Sequence, residues 1–176
     1  VMPAYMEHRM KCWDEAASKR AAEQAQLEQK PIKITLPDGK VIDGVANVTT
    51  PYDIAKGISN SLAEKVMVAK VNGQVRDLTR PLTEDSHLVL LDFDTKEGEH
   101  TFWHSSAHVL GQALEKEFEE AKLCIGPPVE EGGFYYDVFM GDKKVHPEDY
   151  KALERTVAWV QKQKQPFVRL ELTKEE

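Results

Sequence analysis

Ile32-Lys33-Ile34-Thr35-Leu36-Pro37-Asp38-Gly39-Lys40-Val41 is the stretch on which the fold turns. Ile32, Ile34 and Leu36 alternate with polar residues at the two-residue period of a strand with one buried face. Pro37, Asp38 and Gly39 supply the turn, and Val41 with Gly44–Val48 reads as the return strand. Thr50, Pro51 and Asp53 then have the chemistry of an N-cap, a first helical residue and a reciprocal capping partner, and Ile54, Ala55, Ile58 and Leu62 mark one buried helical face. Met67–Val71 is the next strand, Asn72-Gly73 a tight hairpin turn, and Val75 the start of the return. Leu88–Phe93 is an apolar run suited to a central strand.

The order β-β-α-β-β-β leaves one helix to cover one face of a mixed sheet, the two-layer solution open to a small core. A ubiquitin-like β-grasp arrangement has this order, and the expected fold class is α+β. Fold order alone assigns no activity.

Upstream, Met6–Gln29 is rich in strong helix formers and stops before Pro31, with Met10, Trp13, Ala17 and Ala21 as a weakly apolar stripe. This leader reads either as an exposed helix or as a docking helix. Downstream, the polar run Asp92–Gly98 reads as a linker. The expected division is therefore a leader helix over 1–30, the β-grasp unit over 31–94 and a further unit over 95–176. Of the net charge of -7, most falls in the last of these, with its eleven basic and sixteen acidic residues. That balance argues against general binding to a phosphate backbone, which scales with basic charge, and leaves room for a local site. The start lacks the basic and apolar segments of a secretory signal, and no run is long enough to span a membrane. Cys12 and Cys124 lack the spacing of a structural zinc site, so the expectation is free thiols and no metal in this chain.

The third unit opens with a helix expected over Phe102–Glu120, in which Ala107, Leu110, Leu114, Phe118 and Ala121 form the apolar stripe. It closes with a helix over Pro147–Gln165, in which Tyr150, Leu153, Val157 and Val160 form the buried side. Phe134–Phe139 alternates like a strand, and Val168–Leu172 reads as a short one. Two helices and so little strand bury a small area. With the charged close Lys174-Glu175-Glu176, this reads as part of a longer protein.

His104 and His108 lie four apart on the first of these helices, hence on one flank, at about 40° to each other and beside the apolar stripe. Imidazoles there can shuttle protons or hold a water, because they change charge near neutral pH. Ser105 occupies the place where a metalloprotease motif has glutamate, so that reading is poor. A pair of ordinary boundary histidines and a functional pair completed by ligands from elsewhere both remain open. Gly126-Pro127-Pro128 and Gly132-Gly133 bracket a segment without the lysine and hydroxyl of a phosphate loop. It reads as a turn or as a substrate-facing wall, with Phe134, Tyr135 and Tyr136 beside it as core, rim or stacking residues.

Taken together, His104-Ser105-Ser106-Ala107-His108, Cys124-Ile125-Gly126-Pro127-Pro128 and Gly133-Phe134-Tyr135-Tyr136-Asp137 closely resemble the amino-terminal part of the threonyl-tRNA synthetases of the eukaryotic cytosolic type. Pro31–Asp94 is similar to their TGS domain, with Asp38-Gly39 and Val71-Asn72-Gly73 at its turns. Residues from about Gly98 onward are similar to the first half of the editing domain, which deacylates mischarged seryl-tRNA. The resemblance implies that His104 and His108 are the first two editing-site histidines, and that a cysteine and a histidine four apart follow in later sequence. It makes Gly126, Pro127, Tyr135 and Tyr136 candidates for substrate contact.

It further implies a cytoplasmic parent that attaches threonine to tRNA(Thr) with ATP. That parent would hold zinc in its own catalytic domain, bind the acceptor end of the tRNA and form a homodimer through domains outside this chain. This chain would hold part of the editing site only and be inactive by itself. The rival expectation is a non-catalytic TGS-containing module that binds protein or RNA.

Overall fold

In the computed structural model, which describes residues 4–175, Pro31–Thr35 (β1) and Val41–Val45 (β2) pair antiparallel with Ile34 opposite Ile42. The turn closes through the Leu36 N–H on the Lys40 carbonyl and the Gly39 N–H on the Leu36 carbonyl. Ile32 and Ile34 are buried, as the alternation requires. Val1–Pro3 of the expected leader and the closing Glu176 lie outside the described residues.

Pro51–Ile58 (α2) starts from a complete capping box: the Thr50 hydroxyl accepts from the Asp53 N–H at 3.1 Å, and the Asp53 carboxylate accepts from the Thr50 N–H at 2.9 Å. Asn60–Lys65 (α3) follows, then Val66–Val71 (β3), Gln74–Arg76 (β4) and Ser86–Asp92 (β5). The sheet order is β2-β1-β5-β3-β4, with β5 central, parallel to β1 and antiparallel to β3. A parallel neighbour demands a crossover rather than a hairpin. Ile54 enters that crossover's core with Ile32, Ile34, Val71 and Leu88. The β3–β4 turn has Asn72 at φ 49° and Gly73 at φ 81°, the left-handed pair of a tight hairpin.

Two details depart from expectation. The return strand stops at Val45, because Asn47 takes a positive φ and bonds its N–H to the Leu82 carbonyl. The helix breaks at Ser59, whose extended backbone caps α3, so Ile58 turns outward and Leu62 joins a second small cluster around Ala55, Ala63 and Val66.

Ala4–Ala25 (α1) is a largely exposed helix, tied to the rest of the chain by Arg9–Glu115 at 3.3 Å and by the Arg20 guanidinium on the Glu171 carbonyl. Lys96–Glu117 (α4) begins six residues before its expected start. Thr95 caps it, accepting from the Gly98 N–H. The stretch read as a linker is thus a turn and a first helical turn, held to the sheet by Lys70–Glu97. Lys122–Leu123 (β6) and Val138–Phe139 (β7) form a two-residue ladder, far shorter than the expected strand. The segments between them stay paired by single bonds, such as Asp137 N–H to the Ile125 carbonyl at 2.7 Å.

A short 3-10 turn, Pro147–Asp149, leads into Tyr150–Gln163 (α5). Leu153, Thr156 and Val160 are its buried side, whereas Tyr150 is 53% exposed. Thr156 donates to the Glu117 carboxylate across the helix pair. Residues 168–172 form no strand. Ala113, Leu114 and Leu153 centre the small core between α4 and α5. The architecture is α+β, and among the described residues no helix is long and apolar enough to cross a membrane.

Candidate functional site

α4 carries His100, His104 and His108 at successive four-residue steps, so the imidazoles climb one flank of the helix. The His104 and His108 rings stand 5.0 Å apart at a 35° tilt, and His100 lies 6.2 Å from His104. All three are exposed, while Ala107 and Leu114 on the adjoining stripe are buried. Partial burial, then the positive charge of protonated His108 and His100, hold the His104 pKa below its ordinary value. His104 is therefore neutral at pH 7 and carries a ring nitrogen able to accept a proton.

Tyr136 stands behind His108, edge to face at 6.0 Å. Its ring passes between two glycine backbones: a Cβ on Gly126 would meet Cδ2 at 2.4 Å, and one on Gly111 would meet Cε2 at 2.8 Å. Gly126 therefore serves close approach, and through Tyr136 it supports His108. Burial, with the charges of Glu115 and Cys124, raises the Tyr136 pKa, so the phenol stays protonated and can donate.

Tyr135, the next residue along an extended segment, faces solvent, and its N–H bonds to the Pro127 carbonyl at 3.4 Å. Of the candidate contact residues, Gly126 and Tyr136 thus gather at His108, while Tyr135 and Pro127 meet only through backbone. Trp103 packs with Phe93, Phe102 and Phe134, and its indole N–H donates to Glu99.

Two features were not singled out from sequence. His100 belongs to the histidine ladder, and its four-residue spacing could have shown it. A cleft of about 260 Å³ opens beside His108 toward the end of α5, between residues distant in sequence. Among the described residues no group of three or more His, Cys, Asp or Glu side chains could hold a metal ion, so the donor set here does not fit zinc.

Residues 32–91 match the family model of the TGS domain. The chain is 50% identical over 169 residues to a probable cytoplasmic threonine–tRNA ligase 1 of Dictyostelium discoideum, covering 96% of this chain and 24% of that protein. It is 48% identical over 174 residues to the cytoplasmic threonine–tRNA ligase of Caenorhabditis elegans, covering 99% and 24%. Against the human cytoplasmic threonine–tRNA ligase 1 it is 49% identical over 154 residues, covering 88% and 21%. The chain spans about a quarter of the length of the curated relatives it matches.

Proposed function

The chain carries a TGS domain and aligns over nearly its whole length with eukaryotic cytoplasmic threonine–tRNA ligases, and from this we propose that it belongs to a cytoplasmic enzyme that attaches threonine to tRNA(Thr) and hydrolyses mischarged seryl-tRNA. Residues 95–176 contribute the first part of the hydrolytic site. The observation that carries this reading is the pair of neighbouring imidazoles, His104 and His108, 5.0 Å apart and exposed on one flank of α4.

The need for such a site is physical. Serine and threonine differ by one methyl group, and a pocket discriminates a methylene by only about 1–3 kcal/mol. A second site that cleaves the wrong ester restores fidelity. In that reaction water attacks the ester carbonyl, loses a proton to a base, and the ribose oxygen departs with a proton. Neutral His104 supplies the acceptor nitrogen, and His108, steadied by Tyr136, is placed to hold the water or return the proton.

Adenylate formation with ATP, the zinc site and the homodimer contacts belong to parts of the parent beyond this chain, and no step here runs through them. The acceptor end of tRNA(Thr) is the partner of the histidine flank.

The test is single-turnover hydrolysis of seryl-tRNA by the full-length parent and its His104→Ala and His108→Ala variants, with threonylation measured alongside. Hydrolysis should fall by about 10²–10⁴-fold with threonylation unchanged. Equal hydrolysis by all three proteins would reduce the pair to surface residues.

A further inference from the structure

α1 buries little of its surface, so polar ties decide where it lies. Among its described residues none is buried, and only Met6, Ala16, Ala17 and Arg20 are partly covered. At about 100° per residue these four share an arc of about 100° with Arg9 and Gln24. At one end of that face the Gln24 amide donates to the Asn47 carbonyl at 3.1 Å, and the Asn47 amide donates to the Glu28 carbonyl at 2.8 Å. Toward the other end the Arg9 guanidinium reaches both oxygens of Glu115, at 3.3–3.4 Å. The helix therefore spans from the β-grasp unit to α4.

Glu115 stands one turn beyond Gly111, the glycine that Tyr136 lies against, and its side chain is only 15% exposed. The charges beside it on α4 are engaged elsewhere: Lys116 lies over the Trp159 ring at 4.2 Å, Glu117 accepts from Thr156, and Glu120 pairs with Lys143. The cation on Glu115 comes instead from α1, 106 residues away in sequence. The titratable groups around the Tyr136 phenol are Glu115, Cys124 and His108. Burial first, then the charges of Glu115 and Cys124, raise its pKa, and its ring meets His108 edge to face at 6.0 Å.

We infer that Arg9 is a positioning residue for the histidine flank: by pairing with Glu115 it keeps that carboxylate from drawing on the Tyr136 hydroxyl, and so holds the ring against His108. A largely covered carboxylate deprived of its cation turns to another donor, because an unpaired charge out of water is costly. The phenol is a protonated donor within its field, and Gly111 and Gly126 leave the ring little room to move without strain. Arg9 touches no reacting atom and acts through Glu115 and Tyr136. The inference rests on the proposed hydrolysis only for its effect on a rate, and the contacts from Arg9 to His108 stand without it.

The experiment compares, by NMR, the isotope-labelled 176-residue chain with its Arg9→Gln, Arg9→Lys and Glu115→Gln variants and the Arg9→Gln, Glu115→Gln double variant. Arg9→Gln should move the ring signals of both Tyr136 and His108 and make the phenol ionise at higher pH, because Glu115 then stands uncompensated. Arg9→Lys keeps the charge without the two-pronged grip and should reverse that shift in part. Glu115→Gln should make the phenol ionise at lower pH, and Arg9→Gln added to it should change little more. In the full-length parent, single-turnover hydrolysis of seryl-tRNA by Arg9→Gln should fall about twofold to thirtyfold, the range of coupling carried through packed side chains, with threonylation unchanged.

Unmoved Tyr136 and His108 signals in a natively folded Arg9→Gln chain would overturn the inference. So would an equal shift when Arg9→Gln is added to Glu115→Gln, since Arg9 would then act without Glu115. Hydrolysis that falls in His108→Ala but not in Arg9→Gln would overturn it while leaving the proposed function intact. Hydrolysis insensitive to His104→Ala and His108→Ala, with the NMR coupling present, would remove the proposed function and leave Arg9 as the support of Tyr136.

Discussion

A Cβ placed on Gly98 would lie 1.8 Å from the carbonyl oxygen of Asp92. The first turn of α4 is thereby pressed on the last residue of the central strand β5, with Lys70 of β3 and Glu97 joined beside it. The helix that carries the histidines is rooted in the sheet rather than hung from a flexible tether.

Gly98→Ala should therefore be destabilising well beyond its gain in helix propensity. Alanine favours a helix over glycine by about 1 kcal/mol, but overpacking costs about 1–3 kcal/mol or more, and here the clash is with backbone that has no rotamer to yield. Thermal or urea unfolding of the variant should show a clear fall in stability, and equal or higher stability would mean that α4 starts elsewhere.

A second substitution probes the support of His108. Gly126→Ala would drive a methyl group into the Tyr136 ring, 2.4 Å from Cδ2, so the ring must shift and the edge-to-face contact with His108 must change. A loss of about 1–3 kcal/mol is expected from the overpacking. The His108 ring protons should move in the NMR spectrum at the same time, and an unmoved His108 signal would separate Tyr136 from the site.

The strands and the cap of the β-grasp unit were legible because several local signals agreed there. Two-residue alternation, Asn72-Gly73 and the Thr50–Asp53 box each specify one conformation without help from distant residues. The start of α4 was not legible for the opposite reason. Gly98 reads as a breaker in Glu97-Gly98-Glu99, and only the Asp92 carbonyl against it explains why a glycine sits in a helix. Tyr150 followed the apolar period of α5 yet is 53% exposed, since periodicity marks a face and not how deeply each residue on it is covered.

The same division holds in the site. The His104–His108 spacing is local and was readable, as was Tyr136 as an aromatic near a glycine-rich segment. The cleft depends on the left-handed turn at Lys164 bringing Phe167 toward Gln112, an arrangement of residues some fifty apart that no local pattern records.

Thr50→Ala tests the cap that starts α2. The Asp53 N–H loses its acceptor and the Asp53 carboxylate loses the hydroxyl, while the backbone N–H of residue 50 still donates to that carboxylate. A loss of about 0.5–2 kcal/mol is expected in denaturant unfolding. Thr50→Ser retains the oxygen and should restore most of it, so equal losses in both variants would move the effect from the cap to packing.

The final expectation concerns pH. Burial first, and then the charges of His108 and His100, lower the His104 pKa, so that in a ¹H–¹⁵N titration the ring should lose its proton below the unfolded value of about 6.5. Folding then favours the neutral imidazole. Its favourable contribution is present above the unfolded pKa and is lost as pH falls through the folded one, because the unfolded chain binds the proton more readily in that window. Stability measured in urea should therefore decline over that range, and His104→Gln should flatten part of the decline. His100→Gln removes one of the two repelling charges and should raise the His104 pKa, by less than His104's full displacement because burial, the larger cause, stays. In the proposed parent, with His104 as the proposed proton acceptor, the acid limb of the hydrolysis profile should move upward in the His100→Gln variant together with the NMR pKa. A His104 ring that titrates at or above the unfolded value would remove the basis for that assignment.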